Sequence, residues 1–521
     1  MVGNGQPTFH SRPVRSPALL SLLLGALAAL GFAPLELWPL TLVGLAGWLL
    51  LVHAAPTWRA ALWRGWLFGL GHFTINNNWF QHAFDFQDVM PPVLGYVAAV
   101  ALALYLAVYP ALAALLAWRA RSERPDAGFA LVAGAAWIAT EWLRAVMFTG
   151  YAWDPLAVIW VPVQPVAALS AWVGTYALSG ITVAAVALLV TLPLRPWPIV
   201  AMLLALDGLL VAQGFSYRSP PPTARDAPLV HVVQPNVGQD QRDATDAELT
   251  LRAQIARTAP PGPTSRLVVW PEGMVRDFID YGYPPWIYGG RYPHRIRDRL
   301  RSVLGPRDLL IVGDTPLRFD ETGEVVGASN ALTVLDARGR TVARYDKAHL
   351  VPYGEYLPMP WLLRPLGLAR LVPGDLDFAP GPGPRSVDLP GIGPVGFQTC
   401  YEIIFSGQVI DPVRRPRLLL NPSNDAWFGR WGPPQHLAQA RMRAIEEGVP
   451  IVRSTPTGIS AVIAADGALL ASVPHLRAGN ITLPMPEAFP PTLFSRIGNA
   501  MALIVAVLLA LGAVAIRRRA R

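Results

Sequence analysis

The sequence predicts a membrane domain of about eight apolar helices joined to a large α/β domain outside the membrane. Hydrophobic residues make up 52% of the chain, charged residues only 15%, and the mean hydropathy is +0.34. These values are typical of a protein with much of its mass in lipid. Between the apolar runs near the two ends, short β-branched runs alternate with helical patterns. That alternation indicates a layered α/β fold.

The apolar runs are close to the ~20 residues that a helix needs to cross the hydrocarbon core of a bilayer. The first run resembles a cleavable signal peptide in its length. Because further runs follow it at once, we interpret it as a retained helix. The predicted spans are 17–34, 37–54, 64–81, 92–118, 128–148, 166–193, 197–215 and 497–516.

Arginine residues mark alternate connections between these spans, and the intervening connections carry acidic residues without a basic one. By the positive-inside rule, both termini are cytoplasmic and the large domain lies on the other side, the periplasm of a bacterium. The sequence pI of about 9.8 is therefore explained by topological charge, and we expect no nucleic-acid partner. The arginines are Arg12, Arg15, Arg59, Arg64, Arg119, Arg121, Arg124, Arg195, Arg517, Arg518, Arg519 and Arg521.

A stiff polar stretch with three successive prolines, at 219–223, marks the predicted boundary between the two domains. We expect a membrane domain at 1–215, a linker at 216–228, an α/β domain at 229–490 and a C-terminal transmembrane helix at 497–516. A Pro/Gly-rich loop is predicted at 379–394. The predicted strands are 229–234, 267–270, 309–312, 331–335, 341–345, 395–399, 418–420, 450–454 and 461–464, with helices at 246–256, 293–303 and 436–447.

Cys400 stands at a polar break after an apolar run, a pattern that predicts a strand ending at an exposed turn that opens a helix. It is the only cysteine, so an intramolecular disulfide is impossible. At such a turn a thiolate can be exposed near helix N–H groups, which favour negative charge. A small buried core residue is the alternative interpretation. Two further stretches of the sequence favour a catalytic role for Cys400.

Lys347 is the only lysine among the 43 basic residues of the chain. Arginine meets every other need for positive charge, but it cannot lose a proton near neutral pH or present a compact ammonium group. A buried lysine is readily tuned for proton transfer or for contact with an oxyanion. Chance retention of one lysine is the alternative.

Glu272 closes an apolar run and, taken alone, would be read as a solvated residue at a strand end. In chain order, however, Glu272, Lys347 and Cys400 each follow a β-like run. A thiol nucleophile needs a base to take its proton and a cation to hold the oxyanion. The glutamate and the lysine supply both, while the motifs place no histidine to activate a hydroxyl in place of the thiol.

Three blocks resemble the Glu-Lys-Cys triad segments of the nitrilase superfamily: Trp-Pro-Glu at 270–272, the segment 345–356, and Cys-Tyr-Glu at 400–402. The blocks at 424–429, 435–437 and 440–444 are similar to the bacterial apolipoprotein N-acyltransferase family rather than to soluble amidases. The triad blocks indicate the superfamily, and their combination with membrane spans indicates the acyltransferases.

This resemblance implies an α-β-β-α sandwich and a ping-pong transfer of a fatty acyl chain. The donor would be a membrane phospholipid, the carrier a Cys400 thioester, and the acceptor the N-terminal amine of an apolipoprotein's diacylglyceryl cysteine. With catalytic Glu272, Lys347 and Cys400, the resemblance implies supporting roles for Glu355, Tyr401, Glu402, Asn424, His349 and His436. Apolar and aromatic residues that would exclude water or contact substrate are Trp427, Phe428, Trp431, Tyr353 and Tyr356.

The chain departs from the family pattern at three places. Residues 241–243 read Gln-Arg-Asp where a tryptophan is frequent, the loop 428–434 is about a residue short, and Pro456 replaces a usual asparagine. These departures leave the triad intact and leave substrate preference open.

Glu141 and Arg144 lie three residues apart in a predicted span, so they can pair on one helix face. Ionisable residues in a span usually face the protein interior or a water-filled cavity, and both a structural pair and a substrate contact remain open. No His/Cys/Asp cluster has the spacing of a metal site, so we expect neither a metal nor a cofactor. Two other functions remain: a membrane-tethered nitrilase-type amidase, which passes the acyl group to water, and a non-catalytic lipid-binding scaffold.

Overall fold

The computed structural model describes residues 16–86, 91–191, 227–238, 247–366 and 377–519. A helical part precedes an α/β part, and the chain returns to the helical part at its C-terminal end. The predicted span at 197–215 and most of the linker at 216–228 lie outside the described residues.

The helical part packs closely because small residues stand where helices cross. A Cβ on Gly25 would lie 1.9 Å from the Phe68 carbonyl oxygen, and one on Gly134 would lie 2.6 Å from that of Gly180. Only glycine permits such approaches, as in other membrane bundles. The helices are Pro17–Ala29 (α1), Trp38–His53 (α2), Trp58–Asn76 (α3), Leu94–Leu106 (α4), Val108–Arg119 (α5), Ala127–Val146 (α6), Gln164–Ala167 (α7) and Ser170–Thr191 (α8).

Four of the described helices are long and apolar enough to cross a bilayer: Leu94–Arg119, Ala127–Val146, Ser170–Thr191 and Ala500–Arg519. Helices α1 and α2 are apolar but only 13 and 16 residues long, shorter than the predicted spans at 17–34 and 37–54. The structure thus supports a helical membrane domain without establishing eight spans.

The α/β part contains two six-stranded sheets and a small two-stranded one. The strands are Leu229–Gln234 (β1), Arg266–Val269 (β2), Leu309–Asp314 (β3), Leu317–Phe319 (β4), Val325–Ala328 (β5), Ala331–Asp336 (β6), Thr341–Asp346 (β7), Ser386–Leu389 (β8), Gly393–Phe397 (β9), Leu418–Pro422 (β10), Ile451–Ser454 (β11), Ser460–Ile463 (β12), Leu469–Val473 (β13) and Gly479–Pro484 (β14). The strand orders are β14-β1-β2-β3-β6-β7 and β13-β12-β11-β10-β9-β8 in the large sheets, and β4 pairs with β5. The central pairs β1-β2, β2-β3, β9-β10 and β10-β11 are parallel.

The two sheets pack face to face. Alternate side chains along a strand point to opposite faces of its sheet, so the residues that share a cluster show which faces meet. Val230 and Val232 of β1 share one buried cluster with Leu418 and Leu420 of β10, which places that cluster between the sheets. Val233, on the other face of β1, packs under two helices. The second sheet is covered by the helix at 432–447, so the layers run α-β-β-α. The remaining helices are Ala247–Arg257 (α9), Pro293–Arg301 (α10), Pro360–Leu363 (α11), Gly432–Glu447 (α12), Leu493–Ile497 (α13) and Ala500–Arg519 (α14).

Every predicted strand and helix of the α/β part is present, with ends shifted by a few residues. The predicted loop at 379–394 was wrong in part, because it contains β8, and the short strands β4, β5, β13 and β14 were missed. Ser386–Leu389 pairs antiparallel with β9 at the edge of its sheet. Edge strands of this kind are half exposed and lack the apolar run by which buried strands are recognised.

Candidate active site

Glu272 lies two residues beyond Trp270, at the end of β2, and its side chain is buried. The neighbouring strand β3 makes room for it with a glycine. A Cβ on Gly313 would lie 2.7 Å from Glu272 Cα, so any larger residue would displace the glutamate. The carboxylate is therefore held at the end of the first sheet.

Lys347 follows β7 directly and is 1% exposed. Its backbone N–H donates to the Asn330 carbonyl at 2.8 Å. Its Nζ lies 3.3 Å from Glu272 Oε1 and 3.0 Å from Glu355 Oε1. Burial lowers the pKa of Lys347, but the two carboxylates outweigh burial and raise the net pKa above its ordinary value. The ammonium group is therefore charged at neutral pH.

Asn330 joins the two carboxylates and was missed by the sequence analysis. Its Nδ2 donates to Glu272 Oε1 at 2.7 Å and to Glu355 Oε1 at 2.6 Å. It precedes β6, and the pairing of Ala331 with Asp346 places it opposite Lys347. That strand register is a tertiary fact, and no motif around Asn330 indicates it. Two donors thus hold Glu272 and Glu355 side by side.

Cys400 begins a 3-10 helix, Cys400–Ile404, just after β9, with a backbone φ of +50°. A non-glycine residue in this left-handed region is strained, a condition that often occurs at functional sites. The expected exposure of the thiol was wrong, because Cys400 is 5% exposed. Burial and the neighbouring Glu272 raise the pKa of the thiol well above its ordinary value, against the opposing effect of Lys347. The resting thiol keeps its proton and needs a base to remove it.

Glu402 ties the turn at Cys400 to the segment that carries Lys347. Its Oε1 accepts from the Tyr345 hydroxyl at 2.8 Å and from the N–H groups of Ala348 and His349 at 2.8 and 3.0 Å. Its Oε2 accepts from the Thr399 N–H at 2.6 Å. Burial raises the pKa of Glu402 to about 7, while these backbone donors oppose that rise. This carboxylate therefore positions both segments.

A buried His-Asp-Arg group lies on the other side of the nucleophile. The imidazole of His436 donates from Nε2 to the Cys400 carbonyl at 3.1 Å, and its Nδ1 lies 2.9 Å from Asp425 Oδ1. The Arg453 guanidinium donates to both oxygens of Asp425, at 2.7 and 2.6 Å. Burial raises the pKa of Asp425, but Arg453 and His436 outweigh it and bring the pKa to about 2. The sequence analysis gave His436 a supporting role, and its imidazole bonds to the backbone oxygen of Cys400.

The ligand atoms of Cys400, Asp425 and His436 all lie within 4.8 Å of one another, so these residues could reach one metal ion. Asp425 already shares both oxygens with Arg453. A cation bound there would compete with the guanidinium for the same carboxylate. The donor set is thus better suited to a hydrogen-bonded support of the nucleophile than to a metal.

Residues 149–154, which we call the docking loop, connect the membrane helices to the site. The Gly150 carbonyl accepts from the Tyr401 hydroxyl at 3.2 Å, and the Thr149 carbonyl lies 3.2 Å from His349 Nε2. Trp153 donates from Nε1 to Gln435 Oε1 at 2.8 Å. The docking loop therefore contacts the residue next to Cys400 and the helix that carries His436.

Arg144 holds this loop from the membrane side, and Glu141 holds the backbone just after it. Arg144 donates from Nη1 to the Trp153 carbonyl at 2.7 Å, and Glu141 Oε1 accepts from the Leu156 N–H at 2.8 Å. Both line a cavity of about 20 Å³ inside the helices, which has room for about one water molecule. Neither reaches the triad directly.

The predicted aromatic wall divides into two groups. Phe428 packs against Trp79 and Trp153 with ring centroids 4.7 and 5.4 Å apart, so it lies between the two domains. Trp427 lies nearby against Phe86, at 5.8 Å. Tyr353 and Tyr356 form the second group, in the turn that contains Glu355, where the backbone N–H of Tyr353 donates to the Tyr356 carbonyl at 2.9 Å. Asn424 begins the 3-10 turn Asp425–Trp427, which brings Asp425 to the site.

The four layers and the strand ends that bring a glutamate, a lysine and a cysteine together define a carbon-nitrogen hydrolase domain attached to membrane helices. Residues 230–484 match the family described as carbon-nitrogen hydrolase, and residues 24–188 match the apolipoprotein N-acyltransferase N-terminal domain.

Curated relatives match nearly the full chain. Apolipoprotein N-acyltransferases of Rhodopseudomonas palustris and Caulobacter vibrioides are 31% and 33% identical, over 94% and 98% of this chain and 93% and 96% of their own. That of Azotobacter vinelandii is 35% identical over 90% of this chain and 89% of its own. The chain therefore belongs to the apolipoprotein N-acyltransferase family.

Two solved structures match about half of the chain. An amidase from Nesterenkonia sp. has a TM-score of 0.30 and 18% identity, covering 51% of this chain and 94% of that one. The C. elegans NitFhit protein has a TM-score of 0.35 and 21% identity, covering 50% of this chain and 61% of that one.

Proposed function

We propose that this chain carries out lipoprotein N-acylation with a membrane phospholipid as the acyl donor and Cys400 as the acyl carrier. The acceptor is the α-amine of the N-terminal S-diacylglyceryl cysteine of an apolipoprotein. The observation that carries the proposal is the contact of Lys347 Nζ with Glu272 Oε1, at 3.3 Å, in a buried site that also holds the only cysteine. Full-length similarity to apolipoprotein N-acyltransferases supports the choice of reaction.

In the first half-reaction Glu272 takes the proton of the Cys400 thiol as Sγ attacks an ester carbonyl of the phospholipid. The Lys347 ammonium group and the Tyr401 backbone N–H stabilise the tetrahedral oxyanion. The carbon–oxygen bond then breaks, and Glu272 returns the proton to the departing lysophospholipid oxygen. This leaves a Cys400 thioester, and the raised pKa of the resting thiol is the reason that a base is required.

In the second half-reaction the free amine of the acceptor attacks the thioester and forms the amide. Glu272 takes a proton from the amine, and the carbon–sulfur bond breaks. The proton then returns to Cys400, which completes a ping-pong cycle. Glu355 keeps Lys347 charged and placed, Glu402 and His349 hold the surrounding turns, and Asn424 begins the turn that carries Asp425. Water is kept from the thioester by the aromatic wall, that is Trp427, Phe428, Trp431, Tyr353 and Tyr356.

We assign residues 1–215 to a membrane domain of seven spans, 216–228 to a linker, 229–490 to the catalytic domain and 497–516 to the eighth span. Both termini are cytoplasmic in this proposal, and the catalytic domain is periplasmic on the bacterial inner membrane. The arginines at alternate connections support this orientation. Glu141 and Arg144 serve substrate binding through the docking loop and the backbone just after it, which they hold.

The test is intact-mass measurement of the purified protein in detergent after incubation with phospholipid and no acceptor. We expect one acyl chain on Cys400 in the wild type and none in Cys400→Ser, because a serine hydroxyl is a much weaker nucleophile at this site. Rapid release of free fatty acid without a trapped adduct would favour the membrane-tethered amidase. A Ser variant with full activity would rule out Cys400 as the carrier.

A further inference from the structure

A cavity of about 430 Å³ lies between the two domains and has no role in the chemistry described so far. One wall is the 3-10 helix Asn78–Phe86, which follows α3. The opposite walls are the loop that carries Arg430 and the segment that carries His475. This is the loop at which the chain departs from the pattern of its family.

The cavity brings together groups that can carry positive charge. His82, Arg430 and His475 all line it. Burial lowers the pKa of His475, and Arg430 and His82 lower it further, whereas Asp425 opposes them. Arg430 and His82 therefore lie close enough to act electrostatically on His475, and a bound anion would be held by Arg430 and accept hydrogen bonds from the two imidazoles.

The two carboxylates near these groups are already engaged. Asp425 accepts two hydrogen bonds from Arg453, and Asp85 accepts one from His82 Nδ1 at 2.9 Å. Arg430 is exposed, and within the described part of the chain its guanidinium makes no hydrogen bond or ion pair. Among the described residues, Arg430 thus lines the cavity with no carboxylate in hydrogen-bond contact.

The cavity also approaches the nucleophile. Asp425 lines it, and the ligand atoms of Asp425 and Cys400 lie within 4.8 Å of each other. Gly429 lies against the 3-10 helix beside His82, and its φ of +55° is in the left-handed region that favours glycine. An anion in the cavity would therefore lie on the Cys400 side of the molecule, where both domains meet.

We propose that this cavity binds the phosphate group of the phospholipid acyl donor, with Arg430 as its charged partner and His82 and His475 as imidazole donors. The inference rests on the proposed function, whose donor it specifies. In a glycerophospholipid the phosphorus is only a few covalent bonds from the sn-1 ester carbonyl, so phosphate beside Asp425 leaves that carbonyl within reach of Cys400. Arginine suits this task because its planar fork matches phosphate oxygens.

The position of the cavity favours a lipid over free phosphate or an acidic peptide. Trp79 and Trp431 line it beside the polar groups, and such aromatic residues are typical of the depth at which lipid head groups lie. The 3-10 helix that forms one wall also carries Phe80, which packs against an apolar cluster shared by both domains, and Phe84, which packs with Leu94 and Ala98 of the membrane domain.

The test compares two acyl donors in single-turnover intact-mass assays of Cys400. One donor is phosphatidylglycerol in detergent micelles, and the other is p-nitrophenyl palmitate, which has no phosphate. We expect Arg430→Gln to raise the phosphatidylglycerol concentration for half-maximal acylation by about tenfold, the effect of losing one charge-assisted hydrogen bond. Acylation by p-nitrophenyl palmitate stays unchanged. His475→Gln should also raise the phosphatidylglycerol concentration for half-maximal acylation.

Arg338→Gln is the matched control. Arg338 is an exposed arginine on a turn of the catalytic domain and does not line the cavity. It should leave both donors unaffected. Equal effects of Arg430→Gln on both donors, or no effect on either, would overturn the phosphate site. Failure of the wild type to take an acyl chain from phosphatidylglycerol, with p-nitrophenyl palmitate still active, would instead overturn the phospholipid donor and the site with it.

Two further measurements distinguish the phospholipid from free phosphate and from the acceptor peptide as the molecule bound in the cavity. Inorganic phosphate that inhibits acylation by p-nitrophenyl palmitate, with no effect of Arg430→Gln on phosphatidylglycerol, would identify a site for free phosphate only and overturn the proposal. The preformed thioester of Arg430→Gln should be discharged by the apolipoprotein peptide at the wild-type rate. A slowed discharge with unchanged acylation would assign the cavity to the acceptor peptide.

Discussion

At the scale of single residues, the site is a set of buried charges that compensate one another. Glu272 and Glu355 share the Asn330 amide and face the Lys347 ammonium group, so two negative charges are balanced by one positive charge and two N–H donors. Removing one member of such a group leaves a buried charge without its partner, which is costly. The thiol beside this group is neutral at rest, and its reactivity depends on its neighbours.

The compact ammonium group of Lys347 is required at this site. We expect Lys347→Arg to lower acyl transfer by on the order of 10²-fold or more, nearly as much as Lys347→Ala, because the planar guanidinium cannot occupy the same space. The measurement is the rate of thioester formation by intact mass. A near-wild-type rate in the Arg variant would show that position 347 needs only a positive charge.

The pKa of Cys400 gives a prediction in which labelling and catalysis change in opposite directions. Because the pKa is raised, the neutral thiol dominates at pH 7, and alkylation by iodoacetamide should accelerate up to above pH 9 without a plateau. Glu272→Gln removes a negative charge that raises this pKa, so alkylation at pH 8 should become several-fold faster. Acyl transfer should nevertheless be lost with the base. Slower alkylation in this variant would contradict the assignment of the electrostatic effect to Glu272.

At the scale of elements, the docking loop is one connection between the membrane helices and the catalytic turn. It donates to the helix Gly432–Glu447 through Trp153 and accepts from Tyr401 next to the nucleophile. Arg144 on α6 holds the loop through the Trp153 carbonyl. The charged residues of this transmembrane helix therefore act on the site through backbone geometry.

Trp153→Phe should separate this connection from ordinary packing. The ring is kept, but Gln435 Oε1 loses its donor, and an unsatisfied buried acceptor costs about 1–3 kcal/mol. We expect a lower Tm in detergent and a larger fall in kcat than in the affinity for phospholipid. Trp286→Phe, at a side chain that is 70% exposed, is the control and should change neither quantity. An unchanged kcat in Trp153→Phe would leave the loop a purely structural role.

At the scale of the whole molecule, one site must serve two substrates in turn while both domains exclude water. Phe428 of the catalytic domain packs between Trp79 and Trp153 of the membrane domain, so the wall of the site is shared. A shared wall keeps water from the thioester until the amine arrives.

The order of chemistry follows from this arrangement. A peptide with a free N-terminal diacylglyceryl cysteine should discharge the accumulated Cys400 thioester, and an N-acetylated peptide should not. Steady-state rates should give parallel double-reciprocal lines as the acceptor concentration changes, as in a ping-pong reaction. Intersecting lines, or discharge by the N-acetylated peptide, would contradict transfer to the amine.

The sequence alone determined the two-part architecture, the strands that lead to the site and the triad candidates, because these depend on local patterns and on residue types used once. Only one cysteine and one lysine are present, and each stands at the end of a β-like run. Only the tertiary structure decided the rest. Asn330 reaches Glu272 through strand register, Asp425 and Arg453 reach Cys400 through His436, and the docking loop reaches Tyr401 across domains. These contacts join residues far apart in the chain, so no local pattern records them, and the burial that raises the pKa of the thiol exists only when both sheets and the membrane helices enclose it.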